Sequence, residues 1–308
     1  MKYLGLQSQI NRNNIKSVLL LFAFPCLLFL LLWMAFFLFH FSKYFSFSNL
    51  YQVNRQVLTW FPLVISITLI WFVIAWFFHA QIILKSTGSI ATDRKSNPRI
   101  YNLTENICIS RGIIMPKIFI MKDDSLNAFS SGIDQKTFAI SLSTGIIDKL
   151  SDQELEAVIA HELTHIINRD VRLLITSIIF VGIFSFIAQS VYRLMWFKKK
   201  QKRTMSMLIV LLLGIIGYVI SLFLRFAISR KREFLADAGA VELTKNPLAL
   251  ASALKKIDAD PFIEAVNRQD VAQLFIDHPI KKNVSGFFTG LFDTHPPIKE
   301  RIEVLENF

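Results

Sequence analysis

The sequence predicts a mainly α-helical membrane protein that carries one α+β domain assembled from two separate soluble segments. Hydrophobic residues make up 53% of the 308 residues, whereas charged residues make up only 19%. A chain this apolar is unusual for a soluble protein. Four long apolar runs account for the excess, and two stretches of mixed composition lie after the second and the fourth run.

Each apolar run is long enough for a membrane helix, which needs about 20 apolar residues. The first run is not a signal peptide, since it is too long and no small-residue cleavage site follows it. Short connectors join the runs in pairs, so they form two hairpins. The four runs are Val18–Phe41, Leu58–Phe78, Leu173–Leu194 and Met205–Phe226.

The predicted domain order follows from these runs. An N-terminal membrane hairpin occupies residues 1–80, and the first half of the soluble domain occupies residues 81–170. A second hairpin at 171–226 separates this half from the second half at 227–308. Two complete hairpins place both soluble halves on one side of the membrane.

The charge pattern bears on orientation and on binding partners. The net charge is +11, but Lys and Arg cluster mainly beside the apolar runs, which favours contact with lipid headgroups over nucleic acid. Basic residues near the N-terminus and between 85 and 99 predict a cytoplasmic soluble domain, whereas the basic connector at 198–203 favours the opposite orientation. Either the second hairpin does not fully cross the membrane, or the first spans determine the orientation of the whole chain.

The soluble segments contain recognisable strands and one strongly patterned helix. Two short β-like runs predict strands, Lys117–Met121 and Phe138–Ser143. The following segment, SDQELEAVIAHELTHIINRD, predicts an amphipathic helix with Ser151 as N-cap and Glu154 completing a capping box. Two cysteines, Cys26 and Cys108, are predicted to be free because they lack the spacing of a zinc site and lie in unlike surroundings.

The segment HELTH within that helix predicts a metal site. His161 and His165 are one helical turn apart and lie on one face, where two imidazoles can bind a single Zn²⁺. Glu162 can take a proton from a zinc-activated water that attacks a peptide carbonyl. The alternative is a helix with two surface histidines and an unrelated acid.

A catalytic zinc needs a third protein ligand, and Glu233 after the fourth apolar run is the best candidate. Asp237, one turn later, is placed to accept a hydrogen bond from a ligand histidine. Either acid could instead be an ordinary surface residue of a helix.

Four motifs together resemble one family. HELTHIINRD, REFLADAGA, NAFSSG and THPPIKER are similar to the HtpX family of membrane zinc metalloproteases, whose eukaryotic relatives are the CAAX prenyl proteases. The resemblance covers nearly the whole chain. It implies a gluzincin-type zincin site with one Zn²⁺ bound by His161, His165 and Glu233, and Glu162 as general base. It also implies a multi-pass protein of the bacterial inner membrane that acts in quality control and stress response.

Further roles are implied by this resemblance. His295 and Arg301 match residues proposed to stabilise the oxyanion of the tetrahedral intermediate. The strand of Phe138, Ala139, Ile140, Ser141, Leu142 and Ser143 matches an edge strand that binds extended substrate through its backbone. The alternatives are a locally bonded imidazole, a solvated arginine and an ordinary core strand.

The predicted function is therefore cleavage of membrane-associated or misfolded proteins at the cytoplasmic face. Two alternatives stay open: a CAAX-type protease acting on prenylated C-termini, and a membrane chaperone or scaffold without turnover. The predicted partners are a protein or peptide substrate and the lipid bilayer. No pattern in the sequence predicts the oligomeric state.

Overall fold

The structure is a computed structural model that describes residues 6–41, 49–173, 205–226, 230–259 and 296–308, with isolated positions between 175 and 193. Contacts divide the described residues into two compact units. One unit draws on Met1–Asn14, His79–Ile175 and Phe226–Phe308, and the other on Ile15–Phe78 and Thr176–Arg225. The first unit therefore contains both segments of soluble composition.

The second unit contains most of two long apolar helices. Helix α1 extends over Leu6–Phe41 and helix α2 over Asn49–Ser86. The two helices contact each other, because Trp33 Nε1 donates a hydrogen bond to Asn54 Oδ1 over 2.9 Å and the rings of Phe29 and Phe61 meet edge to face. This contact agrees with a hairpin formed by the first two apolar runs.

One helix among the described residues is long and apolar enough to cross a membrane, Leu50–Ser86 within α2. Many of its large apolar side chains are exposed, as lipid-facing side chains of a membrane helix are. Two shorter apolar stretches, Phe22–Leu38 in α1 and Leu211–Ile220 in helix α6 (Met205–Phe226), fall below that length. Most of the predicted span Leu173–Leu194 lies outside the described residues.

A four-stranded sheet forms one side of the first unit. Its strands are β1 (Ser89–Ala91), β2 (Lys117–Met121), β3 (Ala128–Ser131) and β4 (Ala139–Ser143), and their order is β1-β2-β4-β3. Strands β2 and β4 are parallel, whereas the pairs β1/β2 and β3/β4 are antiparallel.

The sheet corrects one prediction. The strand within Phe138–Ser143 exists, but it is not an edge strand, because β4 is paired with β2 on one side and with β3 on the other. Backbone groups on both sides of β4 are therefore used within the sheet. The edges are β1 and β3, and the short, serine-rich β3 had no strand signal of its own.

The helices of the first unit come from both soluble segments. They are α3 (Pro98–Arg111), α4 (Thr144–Lys149), α5 (Asp152–Ile167), α7 (Arg230–Thr244), α8 (Pro247–Ala259) and α9 (Ile298–Glu306). Helix α5 contacts α3, α7, α8, β3 and β4. It therefore connects the sheet of the first segment to the helices of the second.

The close approach of α7 to α5 depends on a glycine. A Cβ atom at Gly239 would lie 2.4 Å from Thr164 Cγ2. Thr164 is buried and its hydroxyl donates a hydrogen bond to the carbonyl oxygen of Ala160, which fixes its rotamer. Only glycine fits between the helices at this point.

The N-terminus of α5 has the predicted capping box. Ser151 Oγ accepts a hydrogen bond from the backbone N–H of Glu154, and the carboxylate of Glu154 accepts one from the backbone N–H of Ser151. The same carboxylate accepts hydrogen bonds from Ser252 Oγ and Lys256 Nζ of α8, each over 2.7 Å. One buried carboxylate thus links the two segments of the unit.

Both cysteines are free thiols, as the sequence predicted. Cys26 and Cys108 form no disulfide. Burial raises the pKa of the Cys108 thiol to about 11, with a smaller contribution from the charge of Glu105. Cys108 is therefore a protonated core residue at neutral pH.

The pH dependence of stability tests the link through Glu154. Burial opposes ionisation, but the hydrogen bonds from Lys256, Ser252 and Ser151 outweigh it and lower the pKa of Glu154 from 4.5 to about 2. Because the folded-state pKa is lowered, the stabilisation is complete above pH 4.5 and is lost as the pH falls toward 2. The substitution Glu154→Gln should cost about 2 to 3 kcal/mol at pH 7 and much less near pH 2.

Thermal unfolding of the detergent-solubilised protein between pH 7 and pH 2 measures this difference. Glu156→Gln is the matched control on the same helix, because burial and the charge of Asp152 raise the pKa of Glu156. That control should leave the unfolding midpoint unchanged or slightly higher. A difference between Glu154→Gln and the wild type that does not shrink with falling pH would contradict the account.

Candidate metal and active site

Helices α5 and α7 bring three metal-binding side chains together. His161 Nε2 lies 3.2 Å from His165 Nε2, and Glu233 Oε2 lies 3.6 Å from His161 Nε2. Glu233 Oε1 lies 3.7 Å from His165 Nε2. The two histidines come from one turn of α5, and the glutamate comes from the first turn of α7.

These distances fit a single metal ion. Among the described residues, His161, His165 and Glu233 form the one group of this kind, with one ligand atom of each within 4.8 Å of the others. Ligands about 2.1 Å from a tetrahedral zinc are about 3.4 Å apart. The distances between the three side chains are close to that value. Two imidazoles and one carboxylate are also a donor set that zinc accepts in catalytic sites.

Glu162 directly follows His161 in α5 and is buried. Glu162 is 1% exposed, and its Oε2 has no hydrogen-bond partner among the described residues. A buried carboxylate oxygen without a donor costs free energy, so its retention calls for a function. Such an oxygen can accept a hydrogen bond from a water molecule and then take its proton, and this is a catalytic function.

Asp237 lies behind the first histidine. Its Oδ1 is 3.0 Å from His161 Nδ1, although the two atoms are not aligned for an ideal hydrogen bond. Burial lowers the pKa of His161, but the carboxylates of Asp237 and Glu233 outweigh it and raise this pKa to about 9. A proton and a metal ion therefore compete for this imidazole.

Arg301 of α9 contacts both Asp237 and Glu233. Its Nε and one terminal nitrogen donate to the two carboxylate oxygens of Asp237 over 2.8 and 2.7 Å. Its other terminal nitrogen lies 3.6 Å from Glu233 Oε2. Burial opposes ionisation of Asp237, but the Arg301 guanidinium outweighs it and lowers the pKa of Asp237. Arg301 is 1% exposed, so it is not a solvated helix arginine.

The remaining predicted residues are placed as follows. His295 lies outside the described residues. The substrate strand predicted at Phe138–Ser143 is interior, as the sheet order shows. The oxyanion role of Arg301 stays a prediction, and so does that of His295.

Two features of the site were missed by sequence reasoning. Strand β3, which contacts α5, is the sheet edge nearest the site helix. Asp170 Oδ2 lies 3.2 Å from His165 Nδ1. Asp170 is the last residue of HELTHIINRD, but it lies five positions after His165, and helical spacing places such residues on different faces.

Two histidines with a glutamate between them lie on one helix, and a glutamate from a second helix completes the group. This arrangement defines a metallopeptidase centre. The model of peptidase family M48 matches residues 94–308, and the chain belongs to this family. It is a membrane metalloprotease, as the resemblance to the HtpX family predicted.

Relatives and a solved structure are similar to the chain to different degrees. The Protease HtpX homolog of Bacteroides fragilis (strain YCH46) is 52% identical over 322 aligned residues that cover 100% of both chains. The Protease HtpX homolog of Dictyoglomus thermophilum is 37% identical over 230 residues, or 73% of this chain and 74% of that protein. The crystal structure of S. mikatae Ste24p matches with a TM-score of 0.42 and 21% identity, over 96% of this chain and 66% of that chain.

The third metal ligand can be tested by metal content. The substitution Glu233→Ala should remove most of the zinc that copurifies with the protein, because it deletes one of three protein ligands. Glu242→Ala is the control on the same helix, since Glu242 pairs with Arg111 at the surface. Elemental analysis of the purified variants reads out the result. Equal zinc content in Glu233→Ala and the wild type would remove Glu233 from the site.

Proposed function

We propose that the protein is a zinc metalloendopeptidase that cleaves membrane-associated or misfolded proteins. The observation that carries the proposal is the convergence of His161, His165 and Glu233 beside the buried carboxylate of Glu162. The proposal includes a multi-pass location in the bacterial inner membrane with the catalytic unit in the cytoplasm. The basic residues near the N-terminus and after the second apolar run support that orientation.

Each residue of the site has a separate task in peptide hydrolysis. His161, His165 and Glu233 hold the zinc ion, which when bound polarises the peptide carbonyl and makes water acidic enough to react near pH 7. Glu162 takes the proton of the attacking water at its carboxylate and passes it to the leaving amine. Burial excludes bulk water from this carboxylate, which keeps the proton within the site.

The positive charge of Arg301 has two uses in this proposal. Its bidentate contact holds Asp237 behind His161, and its third nitrogen faces Glu233. His295 and Arg301 together supply positive charge or hydrogen bonds to the oxyanion that forms during attack. Donors of this kind typically contribute several kcal/mol to catalysis.

Strand β3 is the proposed substrate-binding edge, in place of the interior strand β4. The backbone N–H of Ser143 donates to the carbonyl oxygen of Asn127, so this pair is hydrogen-bonded in the antiparallel ladder. Alternate residues then point their backbone groups away from β4, namely Ala128 and Ser130. The Asn127 side chain already accepts a hydrogen bond from the N–H of Ala128. Among the described residues no strand pairs with this side of β3, so the N–H and C=O of Ser130 and the C=O of Ala128 are the groups proposed to pair with an extended substrate. Ala128 and Ser130 are buried, so substrate binding requires this edge to be uncovered.

The substitution Glu162→Gln tests the mechanism. It removes the proton acceptor but keeps the size of the side chain, so proteolysis should fall at least 100-fold while zinc content stays at the wild-type level. Purified full-length protein in detergent is assayed on an unfolded membrane-protein substrate, and products are mapped by mass spectrometry. Zinc-dependent cleavage that survives in Glu162→Gln would disprove the role of this residue.

The substrate class is tested in the same assay. A prenylated peptide with a C-terminal CAAX sequence is compared with the unmodified membrane protein. We expect cleavage of the unmodified membrane protein at internal bonds. Cleavage confined to the prenylated peptide would assign the chain the CAAX-type activity, and zinc binding without cleavage of either substrate would assign it a scaffold role.

A further inference from the structure

The second metal-binding histidine has its own carboxylate partner. His165 Nε2 faces the other ligand atoms, and His165 Nδ1 lies 3.2 Å from Asp170 Oδ2. Asp170 is 4% exposed and the His165 side chain is 14% exposed, so this contact is partly shielded from water. A neutral imidazole that donates from Nδ1 has its lone pair on Nε2, which is the nitrogen turned toward the metal site.

This contact cannot form on a regular helix. Asp170 follows His165 by five positions, and such residues point about 140° apart around an α-helix. The chain breaks the helix between them. Helix α5 ends at Ile167, Asn168 is its C-cap, and Arg169 has a φ of 58°, in the left-handed region. Helical structure then resumes at Asp170, with its carboxylate turned back to the imidazole.

The left-handed residue costs free energy. A residue with a Cβ atom is strained in this conformation, and neither glycine nor asparagine stands at position 169. Such conformations persist where surrounding contacts require them, and they cluster at functional sites. At this break in the helix, the contact between Asp170 and His165 is the one that reaches the metal site.

The third ligand's helix fixes Asp170 from the other side. Arg232 donates a hydrogen bond to the backbone carbonyl oxygen of Asp170 over 3.4 Å, and Arg232 directly precedes Glu233 in α7. The backbone of Asp170 is thereby tied to the helix that supplies Glu233. The substitution of the Asp170 side chain leaves this backbone contact available.

We propose that Asp170 is a positioning residue for the metal site, one that holds the ring of His165 in place and keeps the proton on Nδ1 so that Nε2 can bind the metal. It is the counterpart of Asp237, which lies 3.0 Å from His161 Nδ1. Carboxylates in this position raise the basicity of a ligand histidine, and their loss typically weakens metal binding about 10- to 100-fold. The inference rests on the proposed zinc site. It adds to that site an acidic residue from the first soluble segment.

The test is zinc affinity, measured by chelator competition on the full-length protein in detergent. Asp170→Ala should weaken zinc binding at least tenfold. Asp170→Asn keeps an oxygen that accepts a hydrogen bond but lacks the charge, so it should recover part of this loss. Asp148→Ala, at an exposed acid of α4, is the control and should bind zinc as the wild type does.

A second measurement separates positioning from folding. The unfolding midpoint of each variant is recorded with excess chelator, where a positioning role predicts a value close to that of the wild type. Wild-type zinc affinity in Asp170→Ala would overturn the proposal and leave the zinc site intact. If Asp170→Ala does not fold, Asp170→Asn decides, and wild-type affinity in that variant overturns the proposal. A wild-type protein that binds no zinc would instead disprove the proposed function.

Discussion

The buried contact of Asp237 with Arg301 and His161 is the interaction on which the catalytic unit depends. Asp237 of α7 receives a bidentate pair of hydrogen bonds from Arg301 of α9 and lies against His161 of α5. Each of these groups would be costly to bury alone, because an isolated charge in a protein interior loses its hydration. Together they join three helices that come from both segments of the chain. The metal site therefore exists only when the two segments have assembled.

Local patterns were enough to predict the centre of the site. The histidines of HELTH lie on one face because their spacing matches the helical repeat, and the capping box of Ser151 and Glu154 fixes where that helix begins. Glu233 could be named because a catalytic zinc needs a third ligand and Glu233 lies just after the last apolar run, where the chain returns from a membrane hairpin. The family was likewise predicted from motifs and confirmed by the match to residues 94–308.

Features that depend on contacts between distant segments were not predictable. Strand β3 reads as a serine-rich loop, and it is a strand because β4 supplies its hydrogen-bond partners. The same pairing makes β4 interior, which is why the predicted edge was wrong. Asp170 is hidden in sequence by the left-handed Arg169, which no helical pattern can anticipate. The bidentate contact of Arg301 required the position of a helix from the far end of the chain.

The central claim is that one zinc ion is bound by two histidines of the first segment and one glutamate of the second. X-ray absorption at the zinc edge of the purified protein measures the ligands directly. The account predicts two imidazole ligands and additional oxygen ligands, all at about 2.0 to 2.2 Å. A spectrum with sulfur ligands, or with fewer than two imidazoles, would contradict it.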